Sequence, residues 1–232
     1  MECELVKIYL DAGHGGTDPG AMGNDLKEKD ITLDICKRIE DGLKAYDDVT
    51  VLTSRETDIF VSLDDRTNKA NANNCDVLLS VHINASATPT AKGFQSFIYT
   101  NVDSGTKAYQ NVMHQEIYNA AYKDVSEDRG KSQANLHMCR ESNMKAILTE
   151  NLFISNSAEA AKLADPAFRQ KIAEGHINGL EKFLGLKKEK LPPPTTIQLW
   201  KVQVGAFEDE KAAKALAADL IKQGYRPYIF KE

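Results

Sequence analysis

The stretch Val6-Lys7-Ile8-Tyr9-Leu10-Asp11-Ala12-Gly13-His14-Gly15-Gly16 joins a short apolar run to a histidine enclosed by glycines. The run predicts a buried β-strand, and the glycines predict a turn in which the backbone passes close to another group. A side chain presented at the end of a core strand is well placed to bind a ligand. Taken alone, the simpler interpretation is a strand-ending turn with an exposed His14, so other segments must decide.

Strands and helices alternate along the chain after this turn. Apolar side chains spaced mostly four apart predict an amphipathic helix from Leu26 to Leu43. Further strands are predicted at 49–53, 76–82, 94–99 and 146–150, and further helices at 63–74, 106–123, 158–164 and 166–184. The alternation predicts an α/β fold with an open, mostly parallel or mixed sheet and helices on both faces.

The composition changes near residue 187. Charged residues followed by three prolines predict a stiff, extended linker over residues 187–197. Residues 1–186 then form the larger, catalytic domain. Residues 198–232 are expected to form a small βαβ unit with strands at 199–207 and 226–231 and a helix at 209–223, which can hardly bury a core alone.

Composition and charge limit the expected partners. The chain has 232 residues, 42% of them hydrophobic, and a net charge of −5, which suits a globular protein with a real core. Residues 187–232 carry nine basic and six acidic side chains, so the larger domain is acidic and is not expected to bind nucleic acid. No apolar run approaches the length of a membrane span.

The N-terminus and the cysteines indicate where the chain is made. Met1-Glu2-Cys3-Glu4 is acidic and leads straight into a strand, so no signal peptide is expected. The four cysteines are scattered, without a CxxC pair, which argues against a thiolate zinc site. We expect free thiols in a protein made in a reducing cytoplasm.

Three predicted strands are followed or ended by His14, His82 and Glu150, at the edge where ligands gather in such sheets. Glu28 begins the helix after the glycine turn and can face the same edge. Two imidazoles and a carboxylate (His14, His82 and Glu28) form a common catalytic zinc set for one ion. Glu150 then suits the general base that activates water and later protonates a leaving amine.

Each of these residues also has a plain structural interpretation. His82 alone is more often a buried, hydrogen-bonded core histidine, and Glu28 alone is a first-turn acid favoured by the helix dipole. Glu150 alone could pair with a cation such as Arg140. A glycosidase pair of Glu28 and Glu150 is a weaker alternative, because it leaves both histidines unexplained.

Four ordered motifs resemble the zinc-dependent N-acetylmuramoyl-L-alanine amidases of the Amidase_3 family. They are Asp11-Ala12-Gly13-His14-Gly15-Gly16, Glu28-Lys29-Asp30, Ser80-Val81-His82-Ile83-Asn84-Ala85 and Leu148-Thr149-Glu150-Asn151-Leu152-Phe153-Ile154-Ser155-Asn156. The resemblance covers about Val6 to Leu184. It implies that His14, Glu28 and His82 bind zinc, that Glu150 is catalytic, and that peptidoglycan is cut between N-acetylmuramic acid and the L-alanine of the stem peptide.

The chain departs from the family pattern next to Glu150. Leu152 stands where the family usually has a glycine, and Thr149 stands where it tends to have an apolar residue. Neither change removes a ligand, so activity is expected. Asn84, Arg66 and Glu141 are further candidates for substrate binding or for support of the site.

The C-terminal stretch from Trp200 to Phe207, with the helix that follows, resembles the first half of a SPOR domain, a module that binds peptidoglycan. One interpretation is a truncated or degenerate tail. The other is a homodimer in which two chains pair their halves into one sheet.

Two further functions stay open at this stage. One is a zinc peptidase that cuts another amide of the stem or cross-bridge, and the other is a non-catalytic wall-binding module. Without a signal peptide, such a hydrolase would reach the wall after release, either by a phage holin or at mother-cell lysis.

Overall fold

The computed structural model of the chain describes residues 5–188, 204–223, 225, 227 and 229. It divides into two compact units, Met1–Glu189 and Lys190–Glu232. Among the described helices, none combines the length and apolarity needed to cross a membrane.

The described residues form eight strands, seven α-helices and one π-helical turn. The strands are β1 Val6–Ala12, β2 Met22–Gly23, β3 Leu26–Lys27, β4 Val49–Thr53, β5 Val77–Asn84, β6 Phe94–Ile98, β7 Asp128–Gln133 and β8 Lys145–Phe153. The helices are α1 Glu28–Leu43, α2 Leu63–Ala72, α3 Ser104–Ile117, α4 His137–Arg140, α5 Ser157–Ala164, α6 Pro166–Leu184 and α7 Glu210–Lys222. The π-helical turn Tyr118–Tyr122 continues α3.

Six strands form one mixed sheet in the order β4-β1-β5-β8-β6-β7, and β2 pairs with β3 in a separate hairpin. Within the large sheet, β4, β1, β5 and β8 are parallel neighbours, β6 runs antiparallel to β8, and β7 is parallel to β6. The predicted fold class, a mostly parallel or mixed sheet with flanking helices, is confirmed.

The sheet buries apolar side chains on both faces. The larger core cluster includes the alternate β1 residues Ile8 and Leu10 and packs with α1, α3 and α6. The smaller cluster contains Tyr9 and Leu78 from the opposite face, together with Ala70 of α2 and Met138 of α4. His82 and Glu150 are an even number of residues from Leu78 and Ala146, so their side chains lie on this second face. The short helices α2 and α4 pack against it.

Four elements were not predicted. The hairpin β2–β3 turns through Asn24 and Asp25, both with positive φ, and its strands are too short to show a periodic pattern. The strand β7 is polar along its whole length and lies at the sheet edge, and α4 is a single turn.

The smaller unit is described only in part. The helix α7 lies within the predicted helix 209–223, and Asp209 caps it by accepting hydrogen bonds from the backbone of Lys211 and Ala212. The described residues from Val204 to Phe207 are not in a strand. Most of the two predicted strands, and Cys3 at the other end of the chain, lie outside the described residues.

Candidate active site

His14 lies two residues beyond β1 in a backbone conformation that L-residues rarely adopt. Its φ is +62°, in the left-handed region. Nδ1 of the ring lies 2.8 Å from Oδ2 of Asp18 in the same glycine-rich turn, which leaves Nε2 directed toward Oε2 of Glu28 at 3.2 Å. A carboxylate on one imidazole nitrogen fixes the ring and its tautomer, as is usual for a metal ligand.

Glu28 is the first residue of α1 and is 4% exposed. Its Oε2 accepts a hydrogen bond from the backbone N–H of Ala21 at 2.8 Å, and its Oε1 accepts one from the backbone N–H of Ile83 at 2.9 Å. Oε1 also lies 2.9 Å from Nδ1 of His82. The carboxylate therefore bridges the two histidines and is held rigidly from both sides.

The three side chains bring one possible metal-binding atom each within 4.8 Å of one another. Two glycines make room for them. A Cβ at Gly13 would lie 2.4 Å from Cε1 of His82, and a Cβ at Gly20 would lie 2.6 Å from Cδ2 of His14 and 2.7 Å from Oε2 of Glu28. A side chain at either glycine would collide with the cluster.

The charges within the cluster depend on one another. Burial disfavours the ionised form of Glu28, but hydrogen bonds from His14 and His82 outweigh it and hold the pKa of Glu28 well below its usual value. Burial likewise opposes protonation of His14, yet the hydrogen bond and charge of Glu28, with help from Asp18, raise its pKa to about 9. The carboxylate of Glu28 thus stabilises positive charge on the imidazoles, and a metal ion bound by the same atoms would supply that charge in place of the protons.

Glu150 lies beside His82 in the sheet, because the two residues are register partners between β5 and β8. Its Oε2 is buried without a hydrogen-bond partner among the described residues. Burial raises the pKa of Glu150 to about 7, with the neighbouring charges of His82 and Glu28 acting in opposite directions. A carboxyl group that binds and releases a proton near neutral pH, next to a cation site, suits a general base.

The donor set fits a zinc ion. Two imidazoles and one carboxylate, each supported by a second hydrogen-bond partner or a close-packed backbone, match the ligands of catalytic zinc sites, which keep one position for water or substrate. Glu150, whose Oε2 has no hydrogen-bond partner among the described residues, is the register neighbour of His82 in this group.

Arg66 is not a surface residue. It is 3% exposed, its Nη2 donates to the carbonyl oxygen of His14 at 2.7 Å, and its Nη1 donates to that of Ala12 at 2.7 Å. These contacts withdraw the guanidinium from substrate and place it in support of the turn that carries His14. Asp11, which the sequence interpretation did not single out, binds Arg66 and Ser80 beneath that turn.

Asn84 and Glu141 occupy different surroundings. Asn84 ends β5, two residues after His82, and its Oδ1 accepts from the backbone N–H of Ala85 at 2.8 Å. Glu141 is exposed and pairs with Arg140 at 2.5 Å, while its carbonyl accepts from Asn71. No contact joins Glu141 to the His14–Glu28–His82 cluster among the described residues.

Asp18 was also missed by the sequence interpretation. The available signal was its position, four residues after His14 in the same glycine-rich turn. Only the folded turn shows that its carboxylate reaches the His14 ring.

Comparison with known proteins identifies the family. Residues 8–182 match the N-acetylmuramoyl-L-alanine amidase family Amidase_3. The chain belongs to this family. The prediction of an amidase that hydrolyses peptidoglycan is thereby confirmed. A second match, to the SPOR domain, covers residues 198–232 of the amidase.

Relatives of the amidase include both bacterial and phage proteins. It is 44% identical over 222 residues to a sporulation-specific N-acetylmuramoyl-L-alanine amidase of Bacillus subtilis, covering 95% of this chain and 83% of that protein. It is 46% identical over 184 residues to an endolysin of Bacillus phage SPP1, covering 78% and 67% respectively.

Solved structures show the same fold as the larger unit of the amidase. An N-acetylmuramoyl-L-alanine amidase from Clostridium difficile 630 matches with a TM-score of 0.76 and 32% identity, covering 79% of this chain and 98% of that one. The catalytic domain of an amidase from Paenibacillus polymyxa matches with a TM-score of 0.74 and 32% identity, covering 78% and 99%.

Proposed function

We propose that the amidase cuts the amide between the lactyl group of N-acetylmuramic acid and L-alanine, with His14, Glu28 and His82 holding one zinc ion and Glu150 acting as the general base. One observation carries the proposal: three ligand-type side chains converge within 4.8 Å beside a buried carboxyl oxygen that has no partner among the described residues. A zinc ion held there supplies Lewis acidity, which polarises the carbonyl and acidifies water.

The protein side chains have separable tasks in this reaction. Glu28 and Asp18 orient the two imidazoles, so that the ligand set is preorganised. Glu150 takes a proton from the attacking water on its carboxylate and passes it to the amine nitrogen of L-alanine as the bond breaks. Burial raises the pKa of Glu150 above its usual value, which favours a carboxyl group that both accepts and returns a proton.

Mass spectrometry of digested cell walls tests the bond that is cut. The amidase is expected to release intact stem peptides with L-alanine at their amino terminus and to leave the glycan uncut. Peptides that begin at an internal residue would instead identify a peptidase. Shortened glycans would point to the weaker glycosidase interpretation.

Glu150→Gln tests the general base. We expect turnover to fall by a factor of about 10² to 10⁴, while zinc content and the unfolding midpoint change little. Glu174→Gln, the same chemical change at an exposed position on α6, serves as the matched control. Equal lysis by the Glu150→Gln protein, or full lysis after exhaustive zinc chelation, would contradict the mechanism.

The C-terminal unit contributes wall binding in this proposal, consistent with its SPOR match. Its pairing into a homodimer remains a prediction. Light scattering tests the homodimer. If the tail only binds the wall, the full chain and a version that ends at Leu186 are both monomers. If the tails pair, the full chain is a dimer and the shorter version is a monomer.

A further inference from the structure

Asn151 follows Glu150 in β8, and its side chain is completely buried. Its Nδ2 donates to the carbonyl oxygen of His82 at 3.0 Å, and its Oδ1 accepts from the hydroxyl of Tyr122 at 2.9 Å. A buried amide is costly unless both ends are paired. In Asn151 the donor end of the amide binds the backbone carbonyl of His82, a proposed zinc ligand.

The strand pairing is irregular at this position. His82 pairs with Glu150, but Asn84 pairs with Phe153, so β8 carries one extra residue opposite β5. Leu152 absorbs the extra residue with a φ of +71°, in the left-handed region. A bulge interrupts the regular ladder that would otherwise fix neighbouring strands. A side chain that crosses from β8 to the His82 carbonyl restores a link where the ladder is disturbed.

The amide of Asn151 is also held from within β8, because its Nδ2 donates to Oγ1 of Thr149 at 3.1 Å. Thr149 lies on the same face of β8, and its Oγ1 lies 3.1 Å from Nε2 of His176. That pair also satisfies buried polar groups, but it makes no hydrogen bond to the zinc-binding residues. Gln110 of α3 is an independent comparison, because it is also buried but its Nε2 donates to the carbonyl oxygens of Ser96 and Ser132, both at 3.1 Å, and not to a ligand residue.

We propose that Asn151 is a positioning residue that fixes the His82 carbonyl, and with it the placement of the His82 ring relative to Glu150. The inference rests on the proposed function of His82 and Glu150. Tyr122, at the end of the π-helical turn, holds the amide of Asn151 in the orientation that donates to His82.

Zinc affinity of the full-length apo-protein, measured by competition with a chromogenic chelator, tests the inference without relying on turnover. Asn151→Leu, which keeps the approximate volume, is expected to raise the zinc dissociation constant about 10-fold or more. It is also expected to lower kcat with little change in KM. Gln110→Met, which removes a buried amide on α3 without touching Asn151 or His82, is the matched control and should bind zinc as the wild type does, even where it lowers stability.

Tyr122→Phe covers the case in which Asn151→Leu does not fold. Loss of one hydroxyl should raise the zinc dissociation constant about three-fold. Wild-type zinc affinity in Asn151→Leu, or in Tyr122→Phe where only that variant folds, would overturn the inference, and so would an equal loss in Gln110→Met. The proposed function fails separately, if the wild type binds no zinc or if Glu150→Gln retains activity.

Discussion

Arg66 and Asp11 form a buried ion pair beneath the turn that carries His14. Nη1 of Arg66 lies 2.7 Å from Oδ1 of Asp11, and the two side chains are 3% and 1% exposed. Burial opposes ionisation of Asp11, but the charge of Arg66 keeps its pKa below the usual value. The pair links α2 to the end of β1, and its guanidinium also binds the carbonyl of His14.

Removal of one partner of this pair should be costly. Arg66→Met is expected to lower the free energy of unfolding by about 3–5 kcal/mol, because it leaves the charge of Asp11 buried and unpaired. Urea unfolding measures the change. The double variant Arg66→Met/Asp11→Leu should recover much of the loss. A double variant no more stable than Arg66→Met alone would show that the buried charge is not the cause.

Gly13→Ala should weaken zinc binding through sterics alone. The added Cβ would lie 2.4 Å from the His82 ring. The backbone cannot move away easily, since Gly13 N–H donates to Val81 at 3.1 Å and the Gly13 carbonyl accepts from Thr32 at 2.8 Å. We expect the ring to be displaced and zinc affinity to fall at least about 10-fold, as measured by chelator competition.

The control for this variant is Gly105→Ala. Gly105 lies in α3, and its added Cβ would meet the flexible end of Lys145 at 3.0 Å and the carboxylate of Asp103 at ordinary contact distance, 3.4 Å, far from the cluster. Zinc affinity should stay at the wild-type value there. Unchanged zinc affinity in Gly13→Ala would refute the steric argument.

Leu152 offers a test of backbone strain next to Glu150. At an ordinary strand position, glycine is less stable than alanine by about 0.5–1 kcal/mol. At a φ of +71° the order should reverse, because an L-side chain in this region costs about 1–2 kcal/mol. Thermal or urea unfolding should therefore find Leu152→Gly more stable than Leu152→Ala, although both lose core packing.

Leu148, in the regular part of the same strand, provides the comparison pair. There Leu148→Ala should be more stable than Leu148→Gly. The same order at both positions would mean that the bulge relaxes when Leu152 is replaced.

His176 should make stability depend on pH. It is completely buried, with Nδ1 2.7 Å from the carbonyl of Ile172, and burial lowers its pKa to about 4. In the unfolded chain His176 binds a proton near pH 6.5, so below this pH protonation lowers the free energy of the unfolded state but not that of the folded state. His176 therefore leaves the free energy of unfolding unchanged above pH 6.5. As the pH falls from 6.5 to 4, it lowers the free energy of unfolding by about 3 kcal/mol.

Unfolding free energies measured from pH 7 to pH 4 for the wild type and for His176→Gln isolate this contribution. The difference between the two proteins should shrink or reverse as the pH falls. Parallel pH curves would show that His176 does not titrate in the way its burial implies.

The sequence predicted the central strands and the long helices well, because their apolar residues follow strand or helix periods. The helix α6 was predicted with the bounds that are observed, Pro166–Leu184. The polar edge strand β7 has no such period and was missed. The convergence of His14, Glu28 and His82 followed from the shared edge of a parallel sheet.

Three features of the site depend on geometry that sequence patterns do not encode. The structural role of Arg66 depends on which carbonyl groups its guanidinium reaches once α2 packs. Leu152 has a left-handed backbone conformation, which leucine rarely adopts, so its residue type does not predict it. The contact of Asn151 with His82 joins segments 69 residues apart and exists only because β5 and β8 pair with a bulge.

The position of β8 has a consequence for synthesis of the chain. It is the last strand of the large sheet to emerge from the ribosome, yet it occupies an interior place between β5 and β6. Until it inserts, the β4-β1-β5 group and the β6-β7 pair have no strand to join them, and Glu150 is not beside His82. A nascent chain therefore cannot bring the proposed base beside the proposed metal ligands before the sheet itself closes, so the wall-degrading activity is expected only from the finished fold.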